Sequence, residues 1–298
     1  MARTRIAYAL LLAALFVPNL GSHASAAPKN ENGLLITPLR QYLKGDAGSA
    51  VPSTFTVANL TNTPLTVAFS VKQFSVADYT YDYTFATPAD NWLSLSEQAA
   101  TLQPHQSHTV SYSISIPKGS APGSHYYTLF ASAKLTSQSV SSTVQAADVL
   151  YLTVNGALTS VSHLQASSIK WITFGSSIPF TLEPVNTGNA YSFVYVGSQL
   201  HGLFVRPPVT SVGHMLIPGK VRRITGSIPS PVLPGVYDAQ YGYKSDSGWI
   251  IQESHLVVYI PPWFIAFLLA AFLVTGRFWR RRKRTNTDGT PTEADTAT

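Results

Sequence analysis

Four aromatic residues stand at a spacing that could bind a flat ring or a protein partner. They are Tyr79, Tyr81, Tyr83 and Phe85, and in a β-strand side chains two residues apart lie on the same face. An exposed face of this kind is an aromatic platform that stacks on sugar rings or anchors a partner. A buried face would be part of a hydrophobic core, and aromatic alternation is typical of cores. The spacing favours the core, and both interpretations stay open.

Motifs for catalysis do not occur in the sequence. There is no Gly-x-Ser-x-Gly, no His-Glu-x-x-His and no phosphate-binding glycine loop followed by Lys and Ser or Thr. The chain has no cysteine, which excludes a thiol nucleophile. His105 and His108 stand three residues apart, but a metal site would need further ligands. We therefore predict a protein that is not an enzyme and that uses no cofactor and no metal.

The charges of the chain lie mainly at its two ends. The net charge is +6, from 20 Lys and Arg against 14 Asp and Glu, whereas residues 27–260 hold 12 basic and 11 acidic residues. A nucleic-acid-binding domain needs a basic patch on its folded surface, so we expect no nucleic-acid partner. Within this neutral part, Arg222 and Arg223 would point to opposite faces of a strand. They are interpreted as a solvated pair or as contacts to acidic headgroups.

The first 26 residues have the pattern of a secretory signal peptide. Two arginines precede a twelve-residue apolar run at 6–17, and the Ala-Ser-Ala of 24–26 matches a cleavage site. Cleavage between Ala26 and Ala27 would leave an exported mature chain. An uncleaved signal anchor is the alternative, and the cleavage site argues against it.

A second apolar run, near the C-terminus, predicts a transmembrane helix over 261–279. The 17 residues from Trp263 to Trp279 would span roughly 25 Å of the ~30 Å hydrocarbon core. These two tryptophans would lie at the two membrane interfaces, and Arg277 would reach towards the headgroups. The alternative is a buried core helix. The basic residues that would mark the cytoplasmic side are Arg280, Arg281, Arg282, Lys283 and Arg284.

These two ends together predict a single-pass protein of the cell membrane. The ectodomain would lie outside the cytoplasm, and the short tail, 280–298, would be basic and then disordered inside it.

Everything between the two ends has a β pattern. Runs rich in Val, Thr, Phe and Tyr alternate with Pro, Gly, Asn and Ser at intervals typical of sandwiches. The length suits a distal domain at 27–155 and a membrane-proximal domain at 156–260. The predicted fold is therefore an all-β ectodomain of two immunoglobulin-like β-sandwiches followed by one transmembrane helix. In the first domain, strands at 53–59 and 65–74 are predicted to pair as a hairpin.

Four parts of the ectodomain resemble a known family of cell-surface proteins. They are 55–62 (FTVANLTN), 102–107 (LQPHQS) with 114–117 (ISIP), 185–189 (VNTGN) and 217–223 (IPGKVRR). In these stretches and in its layout the chain resembles the WxL-interacting proteins. The resemblance implies a peptidoglycan-binding immunoglobulin-like domain, a second β domain, one membrane helix and a basic tail.

These features predict a non-catalytic, membrane-anchored binding protein of a bacterial envelope. It would tether peptidoglycan, another cell-wall glycan or a surface protein, and anchoring raises the effective concentration so that each contact can be weak. A glycan anchor requires that the aromatic row be exposed. A protein scaffold would instead use a sheet edge by strand addition, and a structural spacer would show neither feature.

Overall fold

The computed structural model describes residues 33–136, 141–202, 209–245 and 248–285. The predicted signal peptide, with its cleavage site at Ala26 and Ala27, lies outside the described residues. The tail from 286 onward and the side chains of 280–284 lie outside them as well. The described residues form eighteen β-strands followed by one helix. The predicted all-β class of the ectodomain is therefore confirmed.

Ten strands form two sheets in the first half of the chain. The strands are β1 (Leu34–Thr37), β2 (Arg40–Gly45), β3 (Ala50–Asn59), β4 (Leu65–Val76), β5 (Tyr83–Ala86), β6 (Leu93–Leu95), β7 (Ala99–Leu102), β8 (Ser107–Ser115), β9 (Gly123–Thr136) and β10 (Ser141–Val154). One sheet has the order β1-β3-β8-β6, and the other has the order β2-β10-β9-β4-β5, with β7 also paired to β4. The pairing is antiparallel except between β2 and β10, which run parallel.

The two sheets enclose one hydrophobic core, and we refer to this unit as the first sandwich. Alternate residues of a strand face opposite sides of its sheet. In β3 this alternation buries Phe55 and Val57, and in β8 it buries Val110, Tyr112 and Ile114. Both sheets contribute to the same cluster of buried residues, so burial of one face of each sheet is what holds the unit together.

The hairpin predicted for 53–59 and 65–74 is wrong. The strands exist, but β3 pairs with β1 and β8, whereas β4 pairs with β5, β7 and β9. These two strands, although consecutive in the chain, therefore lie in opposite sheets and face each other across the core. The alternation of apolar residues shows that one face of each strand is buried. It does not show which strand pairs with it, because strands in the same sheet and strands in opposite sheets can both bury that face.

Eight further strands form the second sandwich. They are β11 (Ser162–Ile169), β12 (Ile172–Thr173), β13 (Ser177–Asn186), β14 (Ser192–His201), β15 (Val209–Leu216), β16 (Ile224–Pro229), β17 (Gly235–Ser245) and β18 (Gly248–Tyr259). One sheet has the order β11-β13-β16, and the other has the order β12-β18-β17-β14-β15. Their shared core is a separate cluster that includes Phe180, Val196, Tyr241 and Val257.

The last element is the helix α1 (Pro262–Thr285), which follows β18 almost directly. The sequence predicts that 261–279 crosses a membrane. Among the described residues, however, no helix is long and apolar enough to do so. Arg277 ends the uncharged part of α1, and the 15 residues before it rise only about 22 Å against a hydrocarbon core of ~30 Å. The predicted membrane crossing is therefore not confirmed.

The two sandwiches contact each other through a third group of apolar residues. Phe74, Val76 and Tyr151 of the first sandwich pack with Met215 and Ile217 of the second. The members that pack partly buried around these five are Tyr81, Tyr126, Val149, Tyr191 and Phe193. We refer to this set as the junction cluster, and the candidate site lies beside it.

Candidate functional site: an aromatic cleft between the sandwiches

The predicted aromatic row does not occupy one strand face. Strand β5 begins only at Tyr83, and Tyr79 and Tyr81 lie in the turn before it with positive φ angles of 68° and 61°. A residue in this left-handed conformation breaks the alternation of side chains along an extended strand. The prediction that all four side chains share a face is therefore wrong. The row divides into a pair in the turn and a pair on the strand.

The pair in the turn contacts the second sandwich. The guanidinium of Arg222 lies 4.6 Å from the ring centre of Tyr81, and that of Arg223 lies 4.9 Å from the ring centre of Tyr79. The hydroxyl of Tyr81 accepts a hydrogen bond from the backbone N–H of Ile217 at 3.0 Å. The side chains of both arginines thus lie over rings of the first sandwich. Arg223 is also exposed and forms an ion pair with Glu183 at 2.8 Å, whereas Arg222 is only partly exposed.

The pair on the strand faces solvent. Tyr83 is 43% exposed and Phe85 is 48% exposed, and their rings stack nearly parallel with centres 6.1 Å apart. Each ring rests edge-on against a ring beneath it, Tyr83 on Phe74 at 5.2 Å and Phe85 on Phe130 at 5.1 Å. Both side chains are thus fixed in position by packing and still present one face to a ligand.

A cleft opens between Tyr83 and the second sandwich. Its volume is about 380 Å³. Residues of β2, β4, β5, β10 and the turn before β5 line one wall. Residues of β14, β15 and the segment between β15 and β16 line the other. The side chains that define it are Arg40, Tyr81, Tyr83, Tyr151, Phe193 and Arg222. We refer to these six residues as the cleft.

Two arginines supply the positive charge of the cleft. Arg40 extends over the ring of Tyr151 at 5.9 Å and makes a long contact of 3.5 Å with the hydroxyl of Tyr42. Arg222 donates from Nη1 to the backbone carbonyl of Met215 at 2.8 Å. Within the described residues, neither guanidinium forms an ion pair with a carboxylate. Each therefore keeps donors that an anionic ligand could accept from.

Three groups at the cleft, Tyr81, Tyr151 and His214, have pKa values shifted so that their neutral forms are favoured near pH 7. Burial raises the pKa of Tyr151, and the neighbouring Tyr83 hydroxyl raises it further. Burial also raises the pKa of Tyr81. Burial, and then the charge of Arg222, lower the pKa of His214, which lies at the same opening. The electrostatic potential of the cleft is therefore set by its two arginines.

The lining of the cleft combines aromatic rings with guanidinium groups, which are suited to binding. Aromatic rings beside guanidinium groups bind flat or apolar surfaces that carry negative charge nearby. The geometry thus offers stacking and charge pairing to a ligand.

The two histidines considered as metal ligands separate in the structure. His105 Nε2 is 2.9 Å from the side-chain oxygen of Asn62, and His108 Nε2 is 2.6 Å from a carboxylate oxygen of Glu97. Among the described residues, no group of three or more His, Cys, Asp or Glu side chains could hold a metal ion.

Sequence reasoning missed three residues of the cleft: Arg40, Tyr151 and Phe193. The signal for Arg40 was present, because Arg40 and Tyr42 are two residues apart in an extended stretch and so share a face. No local pattern relates this stretch to Tyr151 or Phe193, which join it only through the parallel β2–β10 pairing and the junction cluster.

The residues expected to anchor the chain lie on α1. Trp263 is 51% exposed and Trp279 is 72% exposed, and the indole N–H of Trp263 donates to the backbone carbonyl of Val232 at 3.3 Å. Arg277 is also exposed. The described anchor residues are therefore far from the cleft along the chain and take no part in it.

Comparison with known proteins leaves the family open. No family model matches the chain, and no curated protein matches its sequence. Among solved structures, the chain is similar to the class 5 fimbriae chaperone CfaA, with 11% identity, 77% of this chain and 100% of that chain covered, and a TM-score of 0.42. It is similar to a chain of the CsuC–CsuE chaperone–tip adhesion subunit complex of Acinetobacter baumannii, with 13% identity, 76% of this chain and 99% of that chain covered, and a TM-score of 0.41. It is also similar to the E. coli chaperone DraB, with 16% identity, 76% of this chain and 97% of that chain covered, and a TM-score of 0.37.

Identities and TM-scores this low decide neither a family nor a function. The resemblance of the sequence to the WxL-interacting proteins stays a prediction.

Proposed function

We propose that this chain is a non-catalytic binding protein of the cell surface, built of two immunoglobulin-like sandwiches, that holds an anionic cell-wall glycan in the cleft. The observation that carries the proposal is the pairing of an exposed ring stack, Tyr83 on Phe85, with the guanidinium groups of Arg40 and Arg222 that have no carboxylate partner among the described residues. Peptidoglycan offers both complements, since its sugar rings can stack on aromatic faces and its peptide stems carry carboxylates. Export through the predicted signal peptide would place the cleft on the outer side of the membrane.

The test is co-sedimentation of the full chain with purified cell-wall sacculi. Arg40→Gln should weaken binding about tenfold, the equivalent of about 1.4 kcal/mol, because one charge-assisted contact is lost. The double variant Tyr83→Ala/Phe85→Ala should weaken it at least as much, and both positions are exposed enough for the fold to survive.

Two matched controls address charge and aromatic area separately. Lys118→Gln removes an exposed positive charge that does not line the cleft, and Phe174→Ala removes an exposed ring from the second sandwich. Both controls should sediment as the native chain does. The proposal fails if the native chain stays in the supernatant, or if all four variants bind equally well.

A protein ligand is the second candidate, and the open edge of β5 favours it. This strand ends its sheet, and all four of its residues are exposed. An extended segment of a surface protein could add there as a further strand. A photo-crosslinking residue in place of Thr84 should then give one discrete protein adduct in native envelopes, whereas the same residue in place of the exposed Thr109 should give none. Equal labelling from both positions would rule out the edge as a docking site.

A further inference from the structure

Seven large apolar side chains are exposed at one end of the second sandwich, around the start of α1. Trp171, Val236 and Leu256 are the most exposed on the sheet side, at 70%, 62% and 70%. The full set, which we refer to as the rim, is Trp171, Phe174, Val232, Leu233, Val236, Leu256 and Trp263. Contiguous exposed apolar patches of this extent are rare on protein surfaces that have no binding partner.

Backbone pairing shows that the members of the rim lie beside one another. Val258 donates its N–H to the carbonyl of Trp171 at 2.7 Å, and Val258 is the direct cross-strand partner of Val236. Leu256 is two residues before Val258 on β18 and so lies on the same outward face. The sheet side of the rim is therefore one continuous patch.

The loop side of the rim meets the helix. The indole N–H of Trp263 donates to the backbone carbonyl of Val232. The backbone carbonyl of Ser176, two residues after Phe174, accepts a hydrogen bond from the hydroxyl of Ser230 at 2.8 Å. An open pocket of about 320 Å³ lies between these loops and the first residues of α1. The patch thus continues onto α1, whose residues between Ile265 and Val274 are also largely exposed and apolar.

We infer that the rim docks on the interfacial layer of a lipid bilayer whose headgroups are anionic. Trp and other large apolar side chains on loops are the groups that partition into this layer. In the rim loops, 170–176 and 230–236, the only charged residue is Lys170, and Asp238 lies opposite Leu256 on the sheet side. The six basic residues of 277–284, which follow the apolar part of α1 in the sequence, give this end of the chain an excess of positive charge. That sign is complementary to anionic headgroups. A protein partner would have to match both the rim and the exposed α1 in shape, whereas lipid needs no shape complementarity.

Docking at the rim would orient the whole molecule. The rim lies at the α1 end of the second sandwich, so the first sandwich and the cleft would be held away from the lipid surface. This inference concerns a different surface from the proposed glycan site and does not depend on it.

The test uses the full chain, which has no cysteine, so one introduced thiol labels one position. A Phe174→Cys variant carries an environment-sensitive fluorophore and is mixed with phosphatidylglycerol vesicles whose acyl chains are brominated near the headgroup. Bromine quenches on contact, so we expect loss of emission from the label at 174. The same label at Leu35→Cys, an exposed apolar position of the first sandwich, should keep its emission.

A second variant separates the rim from the helix. Trp171→Ser/Val232→Ser/Leu256→Ser leaves α1 intact and should lower the fraction of chain that floats with the vesicles. A control with three exposed apolar side chains replaced elsewhere, Leu35→Ser/Leu39→Ser/Val161→Ser, should float as the native chain does.

Three results would overturn the inference. The first is an unquenched label at 174 on chains that float with the vesicles, which would mean that α1 binds alone. The second is the absence of any flotation. The third is a dimer in sedimentation whose formation the rim substitutions abolish, which would assign the rim to a second copy of the chain. None of these results concerns sedimentation with sacculi, so a failure here is distinct from a failure of the glycan proposal.

Discussion

At the scale of single residues, the buried carboxyl of Asp148 is the most unusual group in the first sandwich. Asp148 is fully buried on β10, and the side-chain amide of Gln41 on β2 donates to its Oδ2. Its Oδ1 has no hydrogen-bond partner among the residues that the structure describes. Burial raises the pKa of Asp148 from 3.8 to about 6, and the bond from Gln41 offsets this only in part. The ionised carboxylate is therefore a source of instability at neutral pH.

The sign of this pKa shift predicts a dependence of stability on pH. The native pKa is above the unfolded value, so the native state binds the proton more tightly. The stabilisation is fully present below about pH 3.8 and is lost as the pH rises through about 6. We expect Asp148→Asn to raise the free energy of unfolding by on the order of 2 kcal/mol at pH 8, with a much smaller effect at pH 4.

Urea unfolding of both chains at pH 4 and pH 8 measures this difference. The comparison between the two pH values removes the contributions that other groups make equally in both chains. If the variant and the native chain lose stability in parallel between the two pH values, the carboxyl of Asp148 is not the group responsible.

At the scale of elements, one buried asparagine closes each sandwich where the chain crosses between its sheets. Asn59 ends β3, and its amide N–H groups donate to the carbonyls of Thr63 at 2.8 Å and Leu102 at 3.2 Å. Asn186 ends β13 in the second sandwich and donates in the same way to Ala190 and Leu216, at 2.8 and 3.0 Å. Both side chains are fully buried, and each bonds the backbone of a crossing turn that strand pairing leaves open.

Removal of the Asn59 side chain should therefore lower the free energy of unfolding. Asn59→Ala leaves several buried carbonyl and N–H groups unpaired, and we expect a loss of on the order of 3 kcal/mol in the free energy of unfolding. Asn62→Ala is the matched control, because Asn62 is exposed in the same turn and its removal should cost less than about 0.5 kcal/mol. Thermal or urea unfolding measures the loss of stability in each variant. An equally small loss in both would contradict the role given to the Asn59 hydrogen bonds.

At the scale of the whole molecule, the relative orientation of the two sandwiches decides whether the cleft exists. The loop before β14 holds this orientation through Asn189. Its side-chain N–H groups donate to the carbonyls of Pro122 and Ala157 at 3.0 Å each, and its backbone carbonyl accepts from Ser124 at 3.0 Å. The junction cluster and the Arg222–Tyr81 contact act at the same interface. Polar and apolar contacts together thus restrict rotation of one sandwich against the other.

Asn189→Ala should loosen this joint without unfolding either sandwich. Pulsed electron resonance between spin labels at Leu35→Cys and Phe174→Cys, one on each sandwich, should show a broader distribution of distances than in the native background. Binding in the cleft should weaken in proportion, because its two walls move apart. Gly188→Ala is a second route, since its Cβ would lie 2.1 Å from the carbonyl oxygen of Thr159 and must displace that backbone. An unchanged distance distribution in both variants would mean that the apolar junction cluster alone fixes the orientation.

Local sequence was sufficient for much of the fold. The strands predicted at 53–59 and 65–74 correspond to β3 and β4, because burial of one face of a strand appears as an apolar residue at every second position. The absence of catalytic motifs and the near-neutral charge of residues 27–260 were likewise visible in the sequence alone.

Tertiary structure decided which strands became neighbours and where the site lies. The alternation of apolar residues shows that one face of a strand is buried but not which strand pairs with it. The pattern therefore predicted a hairpin of β3 and β4, although these strands lie in opposite sheets. Two residues with positive φ turned Tyr79 and Tyr81 out of the predicted row, and no spacing rule anticipates that. The cleft brings Arg40 of the first sandwich close to Arg222 of the second. Such contacts depend on three-dimensional packing that no short stretch of sequence encodes.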